Sequence, residues 1–142
     1  MKRRIVIADD DPIVISLVSL RLELADYEVL AARDGEEALA LIRQSEPVAA
    51  ILDMQMPHKT GIDVLDAIKA DPKTDKLPVM MLTGERDTGM VMQAMGAGAG
   101  DYMVKPFQPD RLLERVNRLV RSSAMVWTKP VPSANSKTVW EL

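Results

Sequence analysis

The chain has 142 residues, a formal net charge of −3 and no cysteine. We expect this length to form one domain with a substantial core and a short appendage, without a second catalytic domain. The lack of cysteine excludes disulfides, thiolate metal sites and cysteine nucleophiles. Lysine and arginine are spread along the sequence instead of forming a basic stripe, so we expect no direct binding to nucleic acid.

The amino terminus carries no recognisable targeting segment. In MKRRIVIADDD an apolar run of only about four residues precedes three acids, which is too short for the core of a signal peptide. No apolar stretch of the sequence is long enough to span a bilayer. We therefore expect a soluble, cytoplasmic protein that does not insert into membranes.

Five short runs predict β-strands, and segments of helical period lie between them. The runs are IVIA at 5–8, YEVLAA at 27–32, VAAIL at 48–52, VMML at 79–82 and DYMV at 101–104. The helical stripes comprise Ile13, Leu17, Leu20 and Leu24, then Ala38, Leu41 and Ile42, and later Leu112, Val116, Leu119 and Val120. Strand and helix alternate five times, which predicts an α/β fold with a doubly wound parallel sheet and helices on both faces.

Capping residues and prolines mark the helix starts, and a change of composition marks the end of the domain. Asp11-Pro12, Asp34 and Pro109-Asp110 stand at predicted helix starts. After about residue 121 the pattern gives way to a tail rich in Ser and Pro that contains both tryptophans, Trp127 and Trp140. We therefore divide the chain into a domain at 1–121 and a tail at 122–142, which is either a linker or a segment that docks on the domain or a partner.

Polar residues follow four of the five strands at their carboxyl ends, which meet at one edge of a parallel sheet. They are Asp9 and Asp10, Asp53, Thr83, and Lys105. With an effective dielectric near 20, two like charges roughly 5 Å apart cost about 3 kcal/mol, so the acids favour a bound cation. Oxygen ligands without His or Cys favour Mg²⁺, which would also neutralise a phosphoryl group. Asp53 then becomes a nucleophile that forms an aspartyl phosphate.

The simpler interpretation is that each acid caps a strand or helix at a hydrated edge, as we expect for Asp11. Capping is the more common role for any single acid, but it does not explain why all four strand ends carry a group suited to phosphoryl transfer. The joint pattern therefore favours the functional interpretation.

At these motifs the sequence resembles the receiver domain of bacterial two-component response regulators. The segments IADDDP, LDMQMPHKTG, MLTG and DYMVKPF occur in the family's order and with similar spacing, and the likeness covers residues 4–121. It implies a flavodoxin-like (βα)5 fold with the strand order 2-1-3-4-5. It also implies a signalling protein in a phosphorelay that catalyses only its own phosphorylation and dephosphorylation.

The resemblance assigns a role to each member of the strand-end cluster. Asp53 would accept a phosphoryl group from a sensor histidine kinase or a histidine phosphotransfer protein. Mg²⁺, with Mn²⁺ as a substitute, would bind Asp9, Asp10 and Asp53 together with the backbone carbonyl of Gln55. Lys105 would pair with the phosphoryl group, and the peptide bond that follows it, before a proline, would be cis.

The resemblance also implies how a signal would leave the site. Thr83 and Tyr102 would form a switch pair that alters the surface around the fourth helix, fifth strand and fifth helix. That surface would contact an unknown downstream protein or form a homodimer. Gln55 and Glu85 would tune the lifetime of the phosphorylated state. Gly84 replaces the family's usual alanine and leaves the site open.

Two other functions compete with a phosphorylation-dependent switch. One is a phosphorylation-independent interaction module, and the other is a Mg²⁺-dependent aspartyl-phosphate phosphohydrolase. Such hydrolases commonly carry a second acid two residues after the nucleophile, where this chain has Gln55. The substitution argues against turnover of an external substrate.

The segment TGMVMQAMGAGAG at 88–100 carries no charge and has two interpretations. Its methionines form an adaptable partner surface, or Met92 and Met95 belong to the core. We favour the core, because half of such a helix must face the sheet. We assign no function to His58, Met54 or Met56.

Overall fold

The computed structural model describes residues 2–84 and 88–127 of the chain. Five strands and five helices alternate along it. They are β1 (Arg3–Ala8), α1 (Pro12–Leu24), β2 (Tyr27–Ala32), α2 (Gly35–Ser45), β3 (Ala49–Asp53), α3 (Gly61–Ala70), β4 (Val79–Thr83), α4 (Thr88–Gly96), β5 (Asp101–Val104) and α5 (Pro109–Ser122). The predicted alternation of strand and helix is therefore confirmed.

The five strands form one parallel sheet in the order β2-β1-β3-β4-β5, which confirms the predicted doubly wound fold. Its register aligns the ends of the strands. Ala8 pairs with Leu52, so the residues that follow them, Asp9 and Asp53, lie level on neighbouring strands. Thr83 pairs with Val104, the last residue of β5. Lys105, which follows it, therefore lies beside the end of β4.

Side chains of the central strands alternate between two hydrophobic cores. Val6 and Ala8 face a core that is closed by α2, α3 and α4. Ile5 and Ile7 face a second core that is closed by α1 and α5. Every residue of β3 and β4 is buried, which explains why these strands read as continuous apolar runs in the sequence.

Helices α1 and α2 begin at the capping residues that the sequence predicts. The Asp11 carboxylate accepts a hydrogen bond from the Ile13 N–H at 2.9 Å, and Asp34 accepts one from the Glu37 N–H at 2.8 Å. Each bond satisfies a backbone donor that has no partner within the helix. None of the helices in the described parts of the chain combines the length and apolarity that crossing a membrane requires.

The face of helix α1 that packs against the sheet is not the apolar stripe from which the helix was predicted. Val18 and Leu22 are fully buried against the sheet. The stripe that indicated the helix lies at the surface and consists of Ile13, Leu17, Leu20 and Leu24. Because α1 is apolar on nearly every side, its periodicity predicts a helix without identifying the face that packs.

Helix α4 contradicts the expectation that its methionines form core. Met92 is 68% exposed and Met95 is 42% exposed, so this prediction is wrong. The side chains that pack against the core are Met90, Ala94 and Ala97, which recur at helical spacing on the opposite side. The small Ala94 is fully covered, and the two longer methionines are left on the outer face.

Candidate functional site

Three carboxylates meet at the carboxyl edge of the sheet, beyond the ends of β1 and β3. One oxygen from each of Asp9, Asp10 and Asp53 lies within 4.8 Å of the others. Asp9 and Asp53 are buried, whereas Asp10 is exposed. The Asp9 carboxylate is oriented by the Asp11 N–H, which donates to it at 2.9 Å. The predicted convergence of these three acids is therefore present in the structure.

Lys105 enters the cluster from the end of β5. Its Nζ lies 2.7 Å from an Asp9 oxygen and 3.4 Å from an Asp53 oxygen. The Lys105 N–H also donates to the Thr83 carbonyl at 2.6 Å, which fixes the backbone beside the end of β4. The peptide bond between Lys105 and Pro106 is cis, as the family resemblance implies.

One ammonium group does not neutralise three neighbouring carboxylates. Burial, and after it the negative charge of Asp9, raise the pKa of Asp53 to about 6, although Lys105 and the Gln55 N–H act in the opposite direction. For Lys105, burial disfavours the charged form, but its contacts with Asp9 and Asp53 outweigh burial and raise its pKa. The site therefore favours additional positive charge.

The donors of this cluster fit a small, hard divalent cation. All three acids offer carboxylate oxygens, and one of them is open to solvent, which allows an ion to keep some of its water ligands. No His or Cys joins the cluster among the described residues. Mg²⁺ suits such a site better than zinc or copper, which prefer nitrogen and sulfur ligands.

A cleft of about 290 Å³ opens above the acids. Its lining residues are Asp10, Asp53, Met54, Gln55, Thr83, Gly84, Met90 and Lys105. At Gly84, the described residues other than its chain neighbours place no atom within 4 Å of the position that a Cβ would occupy. The structure thus places Thr83 and Gln55 beside Asp53, as the sequence predicts.

The family model for the response regulator receiver domain matches residues 5–117, where the strand-end cluster lies. This chain is a response regulator receiver. It is 40% identical over 118 residues to the DNA-binding dual master transcriptional regulator RpaA of Synechocystis sp., covering 83% of this chain and 49% of RpaA. It is 35% identical to the DNA-binding response regulator MtrA of Mycolicibacterium smegmatis, covering 85% of this chain and 52% of MtrA. The chain spans about half the length of these curated relatives.

Solved receiver structures share the fold over nearly their whole length. A putative response regulator from Chloroflexus aurantiacus superimposes with a TM-score of 0.81 at 36% identity, covering 85% of this chain and 99% of that one. The chemotaxis response regulator CheY4 of Vibrio cholerae gives a TM-score of 0.78 at 32% identity, covering 84% and 99%. Membership of this family supports phosphorylation-dependent signalling in a two-component system.

The receiver does not bring every predicted residue to the acids. Tyr102 is partly buried on β5 and lines a separate cleft of about 660 Å³ between β5 and α5, together with Phe107, Arg111 and Arg115. The Arg115 guanidinium donates to the Tyr102 carbonyl at 2.9 Å. Glu85, predicted to tune the phosphorylated state, lies outside the described residues.

Two features of the receiver site were not anticipated from the sequence. A Cβ on Gly61 would collide with the Asp53 carbonyl oxygen, so only glycine allows the start of α3 to approach the end of β3 this closely. His58 Nδ1 lies 3.2 Å from an oxygen of Asp34, the cap of α2. The Glu37 N–H, which donates to Asp34, holds the pKa of that carboxyl below its usual range. The positive φ of His58 is the kind of local detail that periodicity does not encode.

Proposed function

We propose that this receiver accepts a phosphoryl group on Asp53 from the phosphohistidine of a sensor kinase or phosphotransfer protein. The observation that carries the proposal is the grouping of Asp53 with two further acids and Lys105 at the mouth of an open cleft. With a pKa of about 6, Asp53 is largely ionised at neutral pH and can act as a nucleophile.

The atoms and electrons of the transfer balance between the phosphohistidine donor and Asp53, without a further reactant. An Asp53 oxygen forms a bond to phosphorus, the bond between phosphorus and the imidazole nitrogen breaks, and the departing histidine retains its electron pair. Mg²⁺, or Mn²⁺ in its place, would be held by Asp9, Asp10, Asp53 and the Gln55 carbonyl, and would supply positive charge to the phosphoryl oxygens.

Lys105 and Thr83 would bind the added group. Lys105 Nζ already lies 3.4 Å from an Asp53 oxygen, so a phosphoryl group on Asp53 falls within its reach. The Thr83 side chain lines the same cleft. A shift of Thr83 toward the phosphoryl group would allow Tyr102, which faces the neighbouring cleft between β5 and α5, to change position.

Two residues beside the cleft would set how long the phosphoryl group persists. Gln55 lines the cleft, and we propose that its side chain orders or excludes an attacking water. We propose the same role for Glu85. The receiver would then catalyse only its own phosphorylation and dephosphorylation.

The output of the switch would pass through α4, β5 and α5. This surface exposes Met92 and Met95 on α4, and arginines line the cleft between β5 and α5. Methionine side chains adapt to different partners, and the surface suits a downstream protein or a homodimer. The relatives RpaA and MtrA are named as DNA-binding, but we assign no direct contact with nucleic acid to the domain proposed at 1–121, which precedes the tail at 122–142.

The proposal is tested by intact-mass measurement after incubation with Mg²⁺ and acetyl phosphate. We expect the wild type to gain one phosphoryl unit and Asp53→Asn to gain none. Asp66→Asn, which removes an exposed carboxylate from α3, is the matched control and should label like the wild type. Chelation of the metal with EDTA should abolish labelling of both reactive proteins.

Labelling of Asp53→Asn to the same extent as the wild type would show that another residue accepts the group. Failure of the wild type to gain mass or to bind beryllofluoride, under conditions that label a control receiver, would favour a phosphorylation-independent module.

A further inference from the structure

The segment that follows α5 has an alternating pattern of burial. Residues 123–127, which we call the strap, leave the helix with extended backbone at Ser123. Met125 and Trp127 are partly buried and pack against the core beneath α2, α3 and α4. Val126, between them, is 73% exposed. A period of two is that of an extended segment with one face against the protein.

A hydrogen bond secures the end of the strap. The indole N–H of Trp127 donates to the Pro47 carbonyl at 2.6 Å. Pro47 is buried in the turn between α2 and β3, at the amino edge of the sheet. A half-buried indole loses part of its hydration, so a carbonyl that accepts its only polar hydrogen makes the position specific.

The strap carries the chain from one face of the sheet to the other. Helix α5 closes the core that it shares with α1, through Leu112 and Val116. Met125 and Trp127 join the opposite core, so the strap crosses the amino edge of the sheet. Trp127, the last residue of the strap, therefore lies next to the turn that follows α2, on the face of the sheet opposite to α5.

We propose that the turn between α2 and β3 is an intramolecular docking site for the strap, and that Trp127 anchors it there to fix where the chain leaves the domain. Pro47, which accepts the hydrogen bond of Trp127, lies six positions before Asp53 on the same chain segment, about 20 Å away along β3. This device does not depend on phosphorylation of the receiver.

Fluorescence of the full chain tests the anchor itself. In Trp140→Phe, Trp127 is the only tryptophan, since the sequence contains two. We expect its emission to shift to the red, and its quenching by acrylamide to increase, when the protein is unfolded in urea. An emission maximum and quenching equal to those of the unfolded chain, under native conditions, would overturn the docking.

A distance measurement tests whether the anchor fixes the exit. The absence of cysteine allows spin labels at Gln44→Cys on α2 and Val126→Cys on the strap, both exposed positions. We expect one narrow distance distribution in this pair and a several-fold broader one when Trp127→Ala is added. A control pair, Gln44→Cys with Arg121→Cys on α5, should give the same distribution with and without Trp127→Ala, which shows that the domain remains folded.

Equally broad distributions for the strap pair, with and without Trp127, would show that the strap does not dock in solution. Equally narrow distributions would show that Trp127 is not its anchor. Either result overturns the proposal, and neither depends on whether Asp53 accepts a phosphoryl group.

Discussion

The two edges of the sheet use opposite electrostatic arrangements, although β3 connects them. At the carboxyl edge, Asp9 and Asp53 are buried together and share one lysine, so the charges are incompletely balanced. At the amino edge, the buried Pro47 carbonyl receives the Trp127 indole N–H. The two ends of one strand therefore differ in how their polar groups are satisfied: the acids near Asp53 outnumber the single lysine, whereas the Pro47 carbonyl has a neutral donor.

The largest effect expected from breaking this arrangement is at Gly61. A Cβ there would meet the Asp53 carbonyl oxygen and the Met81 side chain, and a backbone atom in the middle of the sheet has no room to move. We expect Gly61→Ala to lower the free energy of unfolding by about 3 kcal/mol or more in urea titrations.

Gly100 supplies a control at the amino edge. A Cβ there would lie 2.8 Å from the end of the Leu119 side chain, which can rotate away, so we expect Gly100→Ala to cost only about 1 kcal/mol. Equal losses for the two variants would contradict the idea that the carboxyl edge is the more tightly constrained of the two.

Removal of the Asp53 charge should stabilise the protein at high pH. The folded-state pKa is about 6 and the ordinary value is 3.8, so the folded protein binds the proton more tightly than the unfolded chain does. The wild type is therefore progressively destabilised, relative to a neutral residue at this position, as pH rises through 6. In metal-free buffer we expect Asp53→Asn to gain about 1 to 3 kcal/mol at pH 8, measured by urea unfolding.

The same gain should shrink as pH falls from 6 toward 4, because the wild-type carboxyl then becomes protonated. Asp66→Asn, at an exposed site on α3, should show no such dependence. A gain for Asp53→Asn that stays constant from pH 8 to pH 4 would mean that packing and not charge is responsible.

The smallest effect is expected for a charge at the amino edge. Glu28 pairs with Arg4 at 3.0 Å, but their side chains are 46% and 37% exposed. Water screens such a pair, so Glu28→Gln should change the free energy of unfolding by no more than about 0.5 kcal/mol, and less at high salt. If Glu28→Gln changed the free energy of unfolding as much as Asp53→Asn does, charge would matter equally at the two edges of the sheet.

The order of the elements and the position of the acids were predictable because both follow from periodicity and parallel pairing. Asp9 and Lys105 stand directly after a strand and Asp53 ends one, and a parallel sheet brings such positions together. The helix caps at Asp11 and Asp34 were predictable for a similar reason, since each is a local hydrogen bond between neighbours in sequence.

Features that depend on which of two apolar faces packs were not predictable. Met92 on α4 lies outward because Met90 and Ala94 occupy the inner side, and both sides are apolar in the sequence. The bond from Trp127 to Pro47 joins residues 80 positions apart, and no local pattern encodes such a contact. The double pairing of Lys105 likewise depends on distances that appear only in the assembled sheet.

The pairing of β3 has a consequence for the time scale on which the receiver can respond. This strand is hydrogen-bonded to β1 on one side and β4 on the other, so its amide hydrogens should exchange with solvent only when the whole domain opens. We therefore expect β3, which ends at Asp53, to be among the slowest-exchanging parts of the domain. The sheet order pairs β5 on one side only, so the rapid part of any response to a change at Asp53 belongs to β5 and to the loops that carry Asp10 and Gln55.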